Sequence, residues 1–503
     1  MPYLVRMSFS RQARRYIAID LGASSGRVLE ICIGEAKLSQ RELHRFPNAP
    51  VWNANFGRWC WDTQELWNGV LHGLRAAARD GPVDSIGIDA WAVDYALMDE
   101  EGNLVQPVAA YRDGRTQRAF REIRDRVGDA SIYETTGIAF QPFNTLYQLA
   151  ADAQDASRPL DRATQLLMIP DLIAYWLCGA RTTEATNAST TQLFDAATRS
   201  WSGSLAEAAG VPFRLLPAVT DAGCPNPLGS LRPEVARETG LAVTTRVFAT
   251  ATHDTASSVI AAPIEPTEDL YISSGTWSLV GAELPSAIRT DAARRANMTN
   301  ELGAFGSVRF LRNVAGMWLV QQCEHAFALE GRARTWSELA ALAADEPPLV
   351  SVIDPNDPAL FEAGDMPNRI RSLCAARGEP TPTTDGAIVR CALESVALAT
   401  AWAALEAARI ARRRIRKLVV VGGGSANDLL NQMIADAAGV AVACGPIEST
   451  AIGNALVQHA ALEGISSAQP LRALVRNATP IRSFEPNPDG LTRMREAAAR
   501  PGF

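Results

Sequence analysis

The stretch Tyr16–Ile33, with the sequence YIAIDLGASSGRVLEICI, predicts two strands joined by a turn of small residues. β-branched and aliphatic residues dominate both flanks, whereas the turn lacks good helix formers. It therefore does not open into a helix, as P-loops and dinucleotide-binding loops do. Glycine and serine let backbone N–H groups approach an anion closely, and serine adds hydroxyl donors. A plain β-hairpin and a phosphate-binding hairpin are both consistent with this pattern.

Asp20 ends the first of these strands and precedes the small-residue turn. A carboxylate at the end of an apolar strand is costly unless it has a partner. A divalent metal would supply that partner, which favours the phosphate-binding interpretation of the hairpin.

The same pattern recurs at Leu270–Gly281, with the sequence LYISSGTWSLVG. Single hydrophobic cores stop growing near ~250–300 residues, so a chain of 503 residues is expected to form two domains. Two Ser-Ser-Gly hairpins, each opening one half, predict a duplicated α/β unit that clamps one polyphosphate from both sides. The predicted domains are residues 16–263 and 264–503, after a disordered leader of residues 1–15.

A third glycine-rich feature, Lys417–Asn427, reads KLVVVGGGSAN and leads into a predicted helix at residues 429–438. A buried strand thus feeds a flexible loop and then a helix N-terminus. Backbone N–H groups and the positive end of the helix dipole favour an anion such as a nucleotide at that point. A tight turn is the simpler alternative.

Between the two hairpins lies Arg246–Ala262, where an apolar strand gives way to a helix at Asp254. One interpretation makes Asp254 the N-cap of that helix, because aspartate is common there. The other makes it a general base. The two are compatible, since a helix N-terminus is expected to depress the pKa of the carboxyl and keep it ionised.

The segment Ser85–Tyr95, with the sequence SIGIDAWAVDY, brings two carboxylates and two aromatic side chains together. Carboxylates accept from sugar hydroxyls and aromatic faces pack on sugar C–H groups, so this segment is a candidate polyol wall. Further along, residues 166–177 are predicted to hold a helix whose N-terminus lies at Pro170. A second helix is predicted to begin at residue 313 and to face the cleft through Asn313 and Gln321.

The overall composition limits the possible partners. The chain is 47% apolar and 20% charged with a net charge of −7, which is typical of a folded, soluble, mildly acidic protein and disfavours a nucleic-acid partner. Eight cysteines without a CxxC pair predict free thiols in a reducing cytoplasm. The apolar segment Ile388–Ile410 contains Arg390, Glu394 and Glu406, so a buried helix is expected rather than a membrane span.

Seven motifs occur in order over nearly the whole chain: DLGASSGR at 20–27, IGIDAW at 86–91, YRD at 111–113, PFNTLY at 142–147, HDTAS at 253–257, SSGTW at 273–277 and GGG at 422–424. Together they resemble the FGGY family of carbohydrate kinases, and within it the members that act on L-rhamnulose. The resemblance implies a pair of actin-like or RNase H-like α/β domains with a catalytic cleft between them. It also implies ATP, Mg²⁺ and a ketose as ligands, with transfer of phosphate to the ketose C1 hydroxyl, in a monomer or homodimer.

The resemblance assigns roles by position. Asp254 would be the catalytic base and Asp20 would help to hold Mg²⁺. The residues expected to meet ATP are Ala23, Ser24, Ser25, Gly26, Arg27, Thr276, Gln321 and Gly424. The residues expected to line the sugar site are Ala92, His253, Thr255 and Asn313.

The chain departs from the family pattern at the candidate polyol wall. Where the pattern has Thr-Trp-Gly, this chain has Ala90-Trp91-Ala92. A kinase for another ketose, such as L-fuculose or L-xylulose, is therefore an alternative. A non-catalytic sugar-responsive regulator and an actin-like filament ATPase are alternatives of another class. A regulator would need a DNA-binding appendage for which residues 1–15 are too short, and a filament would need no base at Asp254.

Overall fold

The structure is a computed structural model that describes residues 13–34 and 37–500. Most of the predicted disordered leader, residues 1–12, lies outside the described residues. Arg14 and Arg15, its last charged residues, are instead the first two residues of the first strand. The ordered chain therefore starts at least two residues before the predicted start at Tyr16.

The first half of the chain, residues 13–263, contains fourteen strands and ten α-helices in the described residues. The strands are β1 (Arg14–Leu21), β2 (Ser25–Ile33), β3 (Leu38–Pro47), β4 (Val51–Asn53), β5 (Arg58–Cys60), β6 (Ser85–Ala90), β7 (Tyr95–Met98), β8 (Gln165–Met168), β9 (Thr182–Glu184), β10 (Phe194–Asp195), β11 (Ser200–Trp201), β12 (Ala218–Thr220), β13 (Gly229–Ser230) and β14 (Arg246–Phe248). The helices are α1 (Thr63–Ala78), α2 (Thr116–Val127), α3 (Asp129–Thr136), α4 (Thr145–Ala153), α5 (Pro159–Arg162), α6 (Ile169–Cys178), α7 (Ala185–Ala188), α8 (Gly203–Ala208), α9 (Pro233–Thr239) and α10 (Asp254–Ile260).

The second half, residues 264–500, contains seven strands and nine α-helices in the part that the structure describes. The strands are β15 (Asp269–Ser274), β16 (Trp277–Leu284), β17 (Thr299–Leu302), β18 (Val308–Ala315), β19 (Lys417–Val421), β20 (Ala441–Cys444) and β21 (Arg482–Phe484). The helices are α11 (Asp291–Arg295), α12 (Trp318–Leu329), α13 (Trp336–Asp345), α14 (Met366–Ala376), α15 (Asp385–Ala411), α16 (Asp428–Ala438), α17 (Ser449–Glu463), α18 (Ala468–Ala478) and α19 (Pro488–Ala498).

Each half is built on one large sheet, and the two sheets share a strand order. The first has the order β13-β14-β6-β1-β2-β3, and the second has the order β17-β18-β16-β15-β19-β20-β21. In both, the first strand of an antiparallel hairpin pairs in parallel with a third strand, and that third strand pairs in parallel with a fourth. The predicted duplication of an α/β unit is therefore confirmed, and each Ser-Ser-Gly turn joins the first two strands of its sheet.

Two predictions about local structure need correction. The helix predicted within residues 166–177 begins at Ile169, one residue before the predicted N-terminus at Pro170, but residues 166–168 pair with β7 as strand β8. Asn313 lies in strand β18 and not at a helix start, and the helix that follows begins at Trp318. In both places a short apolar run suits a buried strand and a buried helix equally well, and the pairing partner decides.

Helix α17 comes from the second half of the chain but packs on the sheet of the first half. Its apolar side chains share a core with Tyr16 and Ala18 of β1 and with Ala256 of α10. Gly453 of α17 makes this approach possible, because a Cβ there would lie 1.7 Å from the carbonyl oxygen of Ser257 in α10. The two helices therefore touch backbone to backbone between the two sheets.

Polar side chains fix α17 on the first sheet at a defined register. Gln458 accepts from the Ser85 hydroxyl at 2.7 Å and donates to the backbone oxygen of Ile17 at 3.0 Å. Asn454 donates to Asp89 at 2.6 Å. Since these groups are buried, any other register would leave them without partners.

Helix α15 is the one described helix that is long and apolar enough to cross a membrane by length and composition. Its apolar window is 83% buried inside the protein. It packs in the core of the second half, as the sequence predicted for residues 388–410.

The contact at Gly453 can be tested by Gly453→Ala. The added methyl group has no room against the Ser257 carbonyl, so α10 and α17 must move apart, at a cost on the order of 3 kcal/mol. We expect a lower thermal unfolding midpoint by calorimetry. Gly203→Ala is the control, because Gly203 is also helical but has nothing within 4 Å of the added Cβ. Equal midpoints for the two variants would contradict the proposed tight contact.

Candidate active site

A cavity of about 300 Å³ lies between the two halves of the molecule. It is lined by both Ser-Ser-Gly turns, the glycine-rich loop after β19, the segment after β6 and the start of α10. Among the residues assigned from the sequence, those that line it are Asp20, Ala23, Ser24, Ser25, Arg27, Ala92, His253, Asp254, Thr255, Thr276 and Asn313. The structure therefore brings together most of the predicted site.

Three of the assigned residues do not line this cavity. Gly26 packs under it, where a Cβ would lie 2.3 Å from the Phe46 ring. Gly424 packs on the second hairpin, where a Cβ would lie 2.0 Å from the Ser274 hydroxyl oxygen. Gln321 lies in the second turn of α12, away from the cavity wall. Gly26 and Gly424 therefore shape the loops. In the glycine-rich loop, Gly422 and Gly423 face the cavity instead of Gly424.

Asp254 is the first residue of α10, and His253 occupies the N-cap position. The prediction that Asp254 is the N-cap is therefore off by one residue. One of its oxygens, Oδ1, accepts from the Thr255 backbone N–H at 2.6 Å and from the Thr255 hydroxyl at 3.2 Å. The side chain is one-third exposed, toward the cavity that it lines. It is thus held at a helix start, as predicted, with its carboxylate accessible to a ligand.

The pKa of Asp254 is raised, which contradicts the predicted depression. Burial raises it, His253 opposes the rise, and the negative charge of Asp20 adds to it. The helix N-terminus therefore does not dominate here, because the surrounding protein removes part of the water around the carboxylate and a second carboxylate lies nearby.

Asp89 is a further buried carboxylate of this region, at the end of β6 and paired in register with Asp20 of β1. Burial and the charge of Asp20 raise the pKa of Asp89 well above its usual range. One of its oxygens accepts from Asn454, and the other has no hydrogen-bond partner among the described residues. Negative charge is therefore concentrated where the two parallel strands end.

Arg27 links the first hairpin to the second half of the chain. Its guanidinium forms ion pairs with Asp20 on β1 and with Glu448, the residue that precedes α17. The sequence singled out Arg27 as an ATP contact but offered no signal for Glu448. The pairing depends on α17 crossing to the first sheet, which local sequence patterns do not encode.

His253 is held from behind by two charged residues of the second sheet. Its Nδ1 atom lies 2.9 Å from Nη2 of Arg309 on β18 and 3.3 Å from Oε2 of Glu301 on β17. Its Nε2 atom lies 3.4 Å from Oδ1 of Asp254. Arg309 is fully buried, and the pKa of Glu301 is lowered, since the charge of Arg309 and the adjacent His253 ring outweigh the effect of its burial.

The candidate polyol wall is only partly correct. Trp91, Ala92 and Val93 line the cavity, but Asp94 and Tyr95 turn away from it. The Tyr95 hydroxyl donates to Asp152 inside the first half, at 2.7 Å. Tyr95 is the first residue of β7, and successive side chains of a strand point to opposite faces. The number of aromatic residues in the sequence does not show which of them face the cavity.

Asp94 instead holds the wall in place. Its Oδ2 atom accepts from the indole N–H groups of Trp61 at 2.6 Å and Trp91 at 2.9 Å, and its Oδ1 atom accepts from Gln148 at 3.0 Å. The neighbouring Val93 has φ of 69°, a conformation that is strained for a β-branched residue. Hydrogen bonds to Asp94 therefore offset backbone strain at the point where the chain presents Trp91 and Ala92 to the cavity.

Comparison with known proteins agrees with this architecture. The N-terminal domain model of the FGGY family of carbohydrate kinases matches residues 15–261, and the C-terminal domain model matches residues 270–462. The chain belongs to the FGGY family of carbohydrate kinases. Its active site is therefore that of an enzyme that transfers phosphate from ATP to a carbohydrate.

Curated relatives within the FGGY family include rhamnulokinases. The protein of Bacillus subtilis (strain 168) is 39% identical over 472 residues, which covers 94% of this chain and 95% of the relative. The protein of Klebsiella pneumoniae (strain 342) is 39% identical over 483 residues, with 95% of each chain covered. Among solved structures, a ligand-bound xylulose kinase from Lactobacillus acidophilus superposes with a TM-score of 0.79 at 13% identity, covering 96% of each chain. The predicted two-domain actin-like fold is thereby confirmed.

The role of Asp94 in this FGGY kinase predicts a pH-dependent stability. Burial raises the pKa of Asp94 to about 6, although its hydrogen bonds oppose the shift. Between about pH 4 and pH 6 the folded protein keeps a proton that the unfolded chain has released, so the stabilising contribution of this group is lost as pH rises through that window. Asp94→Asn does not titrate.

We therefore compare the unfolding free energy of the wild type with that of Asp94→Asn at two pH values. We expect the difference, wild type minus variant, to fall by on the order of 2 kcal/mol between about pH 5 and about pH 7.5. Urea unfolding at both pH values measures this difference. The same difference between the two proteins at both pH values would rule out Asp94 as the titrating group.

Proposed function

We propose that this kinase transfers the γ-phosphoryl group of ATP to the C1 hydroxyl of L-rhamnulose, giving L-rhamnulose 1-phosphate and ADP. The observation that carries the proposal is the position of Asp254. It lies in one cavity with both Ser-Ser-Gly hairpins and with the wall formed by Trp91 and Ala92. The names of the curated relatives at 39% identity support L-rhamnulose as the substrate.

At the nucleotide end, the proposal assigns ATP to the two hairpins and the glycine-rich loop. Ser24, Ser25 and Thr276 supply hydroxyl donors, and the turns supply backbone N–H groups for phosphate oxygens. Arg27 brings a positive charge to the same cavity. Its two ion pairs with carboxylates hold the guanidinium in place before a phosphate arrives.

At the sugar end, the proposal assigns the ketose to Ala92, His253, Thr255 and Asn313, which all line the cavity. The Asn313 side-chain oxygen is buried and has no hydrogen-bond partner in the described part of the chain, so it is available to a sugar hydroxyl. Of the two departures from the family pattern, only Ala92 faces the cavity. Ala90 is fully buried and donates its backbone N–H to the Thr252 oxygen. Because Ala92 adds a methyl group to the sugar site where the family pattern has glycine, L-fuculose and L-xylulose are included as test substrates.

In the proposed reaction, the C1 oxygen attacks the γ-phosphorus, the bond to the β,γ-bridging oxygen breaks, and ADP leaves. The transition state is loose, so positioning and charge stabilisation supply most of the catalysis. Asp254 takes the hydroxyl proton late, when the oxygen is already bonding to phosphorus. The raised pKa of Asp254 makes it a better base than a free aspartate, provided that the pH keeps it ionised.

The residues present fit a magnesium ion bound with the nucleotide. Asp20 lines the cavity, and the concentration of carboxylates that raises the pKa of Asp89 would be relieved by a cation. The described residues contain no group of three or more metal-binding side chains. Mg²⁺ typically uses one or two carboxylates and completes its shell with phosphates and water. When bound, it would neutralise charge on the phosphates, and Asp20 would hold it.

We place the enzyme in the cytoplasm, because all eight cysteines are free thiols. Five of them are buried, as the sequence predicted, and Cys32, Cys178 and Cys224 are partly exposed.

The substrate is tested by measuring ADP release with L-rhamnulose, L-fuculose, L-xylulose, D-xylulose and glycerol. We expect the highest kcat/KM with L-rhamnulose. Asp254→Asn should lower kcat on the order of 10²- to 10⁴-fold while ATP still binds. Asp113→Asn is the matched control, since Asp113 is a buried carboxylate that accepts backbone N–H groups but does not line the cavity. Turnover that depends on no sugar, or a fully active Asp254→Asn, would refute the proposal.

The metal role of Asp20 is tested by titrating Mg²⁺ at fixed ATP. Asp20→Asn should require several-fold more Mg²⁺ for half-maximal turnover, because a carboxylate ligand is lost. Glu448→Gln breaks the other ion pair of Arg27 and should leave the Mg²⁺ requirement unchanged. If both variants shift the Mg²⁺ requirement equally, Asp20 acts only by holding Arg27.

A further inference from the structure

We propose that Arg309 is a positioning residue for the base, which acts by fixing the neutral tautomer of His253 with its proton on Nε2. The structural part of this inference stands alone, and its catalytic consequence rests on the proposed function. Arg309 and Glu301 lie outside the seven sequence motifs and belong to the second sheet. They reach the residue next to the base only because the two halves of the chain meet there.

The tautomer follows from what each atom can do in a hydrogen bond. Nη2 of Arg309 lies 2.9 Å from Nδ1 of His253, and a guanidinium nitrogen only donates. Nδ1 must therefore accept, which leaves the imidazole proton on Nε2. The same Nη2 atom forms an ion pair with Oε2 of Glu301 at 3.0 Å, and among the described residues this oxygen has no hydrogen-bond partner that would compete with Nδ1 for the Nη2 hydrogens.

Glu301 alone would favour the opposite tautomer. Its Oε2 atom lies 3.3 Å from Nδ1, and a carboxylate only accepts, so without Arg309 it would draw the proton to Nδ1. Arg309 is fully buried and also donates to the Leu302 backbone oxygen at 3.1 Å, which fixes its guanidinium. The tautomer therefore depends on Arg309, which contacts both the carboxylate and the ring.

The tautomer matters because of what Nε2 faces. Nε2 lies 3.4 Å from Oδ1 of Asp254, the oxygen that already accepts from Thr255. With a proton on Nε2, the ring presents a donor to the cleft and to Oδ1, and Oδ2 remains free for the proton of the acceptor hydroxyl. With the proton on Nδ1, two acceptors would face each other, and the carboxylate would be pushed out of position.

The backbone on the other side of His253 is fixed separately. The buried Glu184 accepts from the backbone N–H of Thr252 at 2.9 Å and from its hydroxyl at 3.0 Å. The hydroxyl of Thr186 accepts from the His253 backbone N–H at 3.1 Å. Loss of Arg309 should therefore change the ring of His253 and leave its main chain in place.

The tautomer is measured directly in the wild-type protein by NMR with ¹⁵N-labelled histidine. The chain contains five histidines, and His253→Gln identifies the resonances of His253. At mildly alkaline pH we expect a protonated Nε2 and an unprotonated Nδ1. A proton on Nδ1 would overturn the inference, whether or not the enzyme turns over L-rhamnulose, so this result is independent of the proposed function.

Variants test the catalytic consequence. Arg309→Met should lower kcat by about 10- to 100-fold, with the KM for ATP unchanged, because the base is misplaced and the nucleotide site is not. The double variant Arg309→Met/Glu301→Met removes the carboxylate that would draw the proton to Nδ1. It should recover several-fold of the lost activity. If the double variant instead has a lower kcat than Arg309→Met, the two substitutions act additively. The pair would then serve only the structure, and the positioning role would be overturned.

Arg472, a second fully buried arginine among the described residues, offers a matched control. Arg472 pairs with Glu283 of β16 at 2.8 Å and donates to the Val259 backbone oxygen, without contact to His253. Arg472→Met reports the general cost of disrupting a buried arginine–glutamate pair. We expect it to lower the unfolding temperature as Arg309→Met does, with kcat close to wild type and the tautomer of His253 unchanged. An equal fall in kcat would refute the specific role of Arg309.

Discussion

The backbone contact between α10 and α17 is the constraint on which the site depends. A Cβ at Gly453 would lie 1.7 Å from the Ser257 carbonyl oxygen, so only glycine lets the two helices meet. This contact brings a helix of the second half onto the first sheet. It also places Asp254, at the start of α10, in the cleft between the two hairpins. The hydroxyls of Ser258 and Ser449 meet at 2.6 Å beside it and join the same two helices.

Charge is concentrated in this cleft, and the protein stabilises it by pairing across the two halves. Asp89 receives a hydrogen bond from Asn454 of α17, and Arg27 forms ion pairs with both Asp20 and Glu448. Uncompensated buried charges are costly, so these pairs also favour the arrangement of the two halves seen here. The strands and helices that hold these charged groups also carry the residues of the proposed phosphoryl transfer. Stability and function are therefore coupled in the cleft.

Much of the fold could be predicted from local patterns. The two hairpins, the glycine-rich loop and the helix at 388–410 combine clear hydrophobic periodicity with small-residue turns, and the predicted duplication agrees with the strand order that the two sheets share. The errors fall where local patterns are ambiguous. Residues 166–168 became a strand because β7 pairs with them. Asp94 looked like a sugar ligand but turns inward to accept from Trp61 and Trp91.

Contiguous residues are enough to specify the duplicated α/β architecture, the family resemblance and the place of Asp254 at a strand–helix joint. The groups that surround Asp254, in contrast, depend on the tertiary structure. Glu301 and Arg309 reach His253 from about 50 residues away in the chain, and Glu448 reaches Arg27 from 421 residues away. Periodicity specifies which faces are buried, but the pairing of buried polar groups depends on how two separately formed sheets meet. The raised pKa of Asp254 follows from that meeting, and so does the tautomer that we propose for His253.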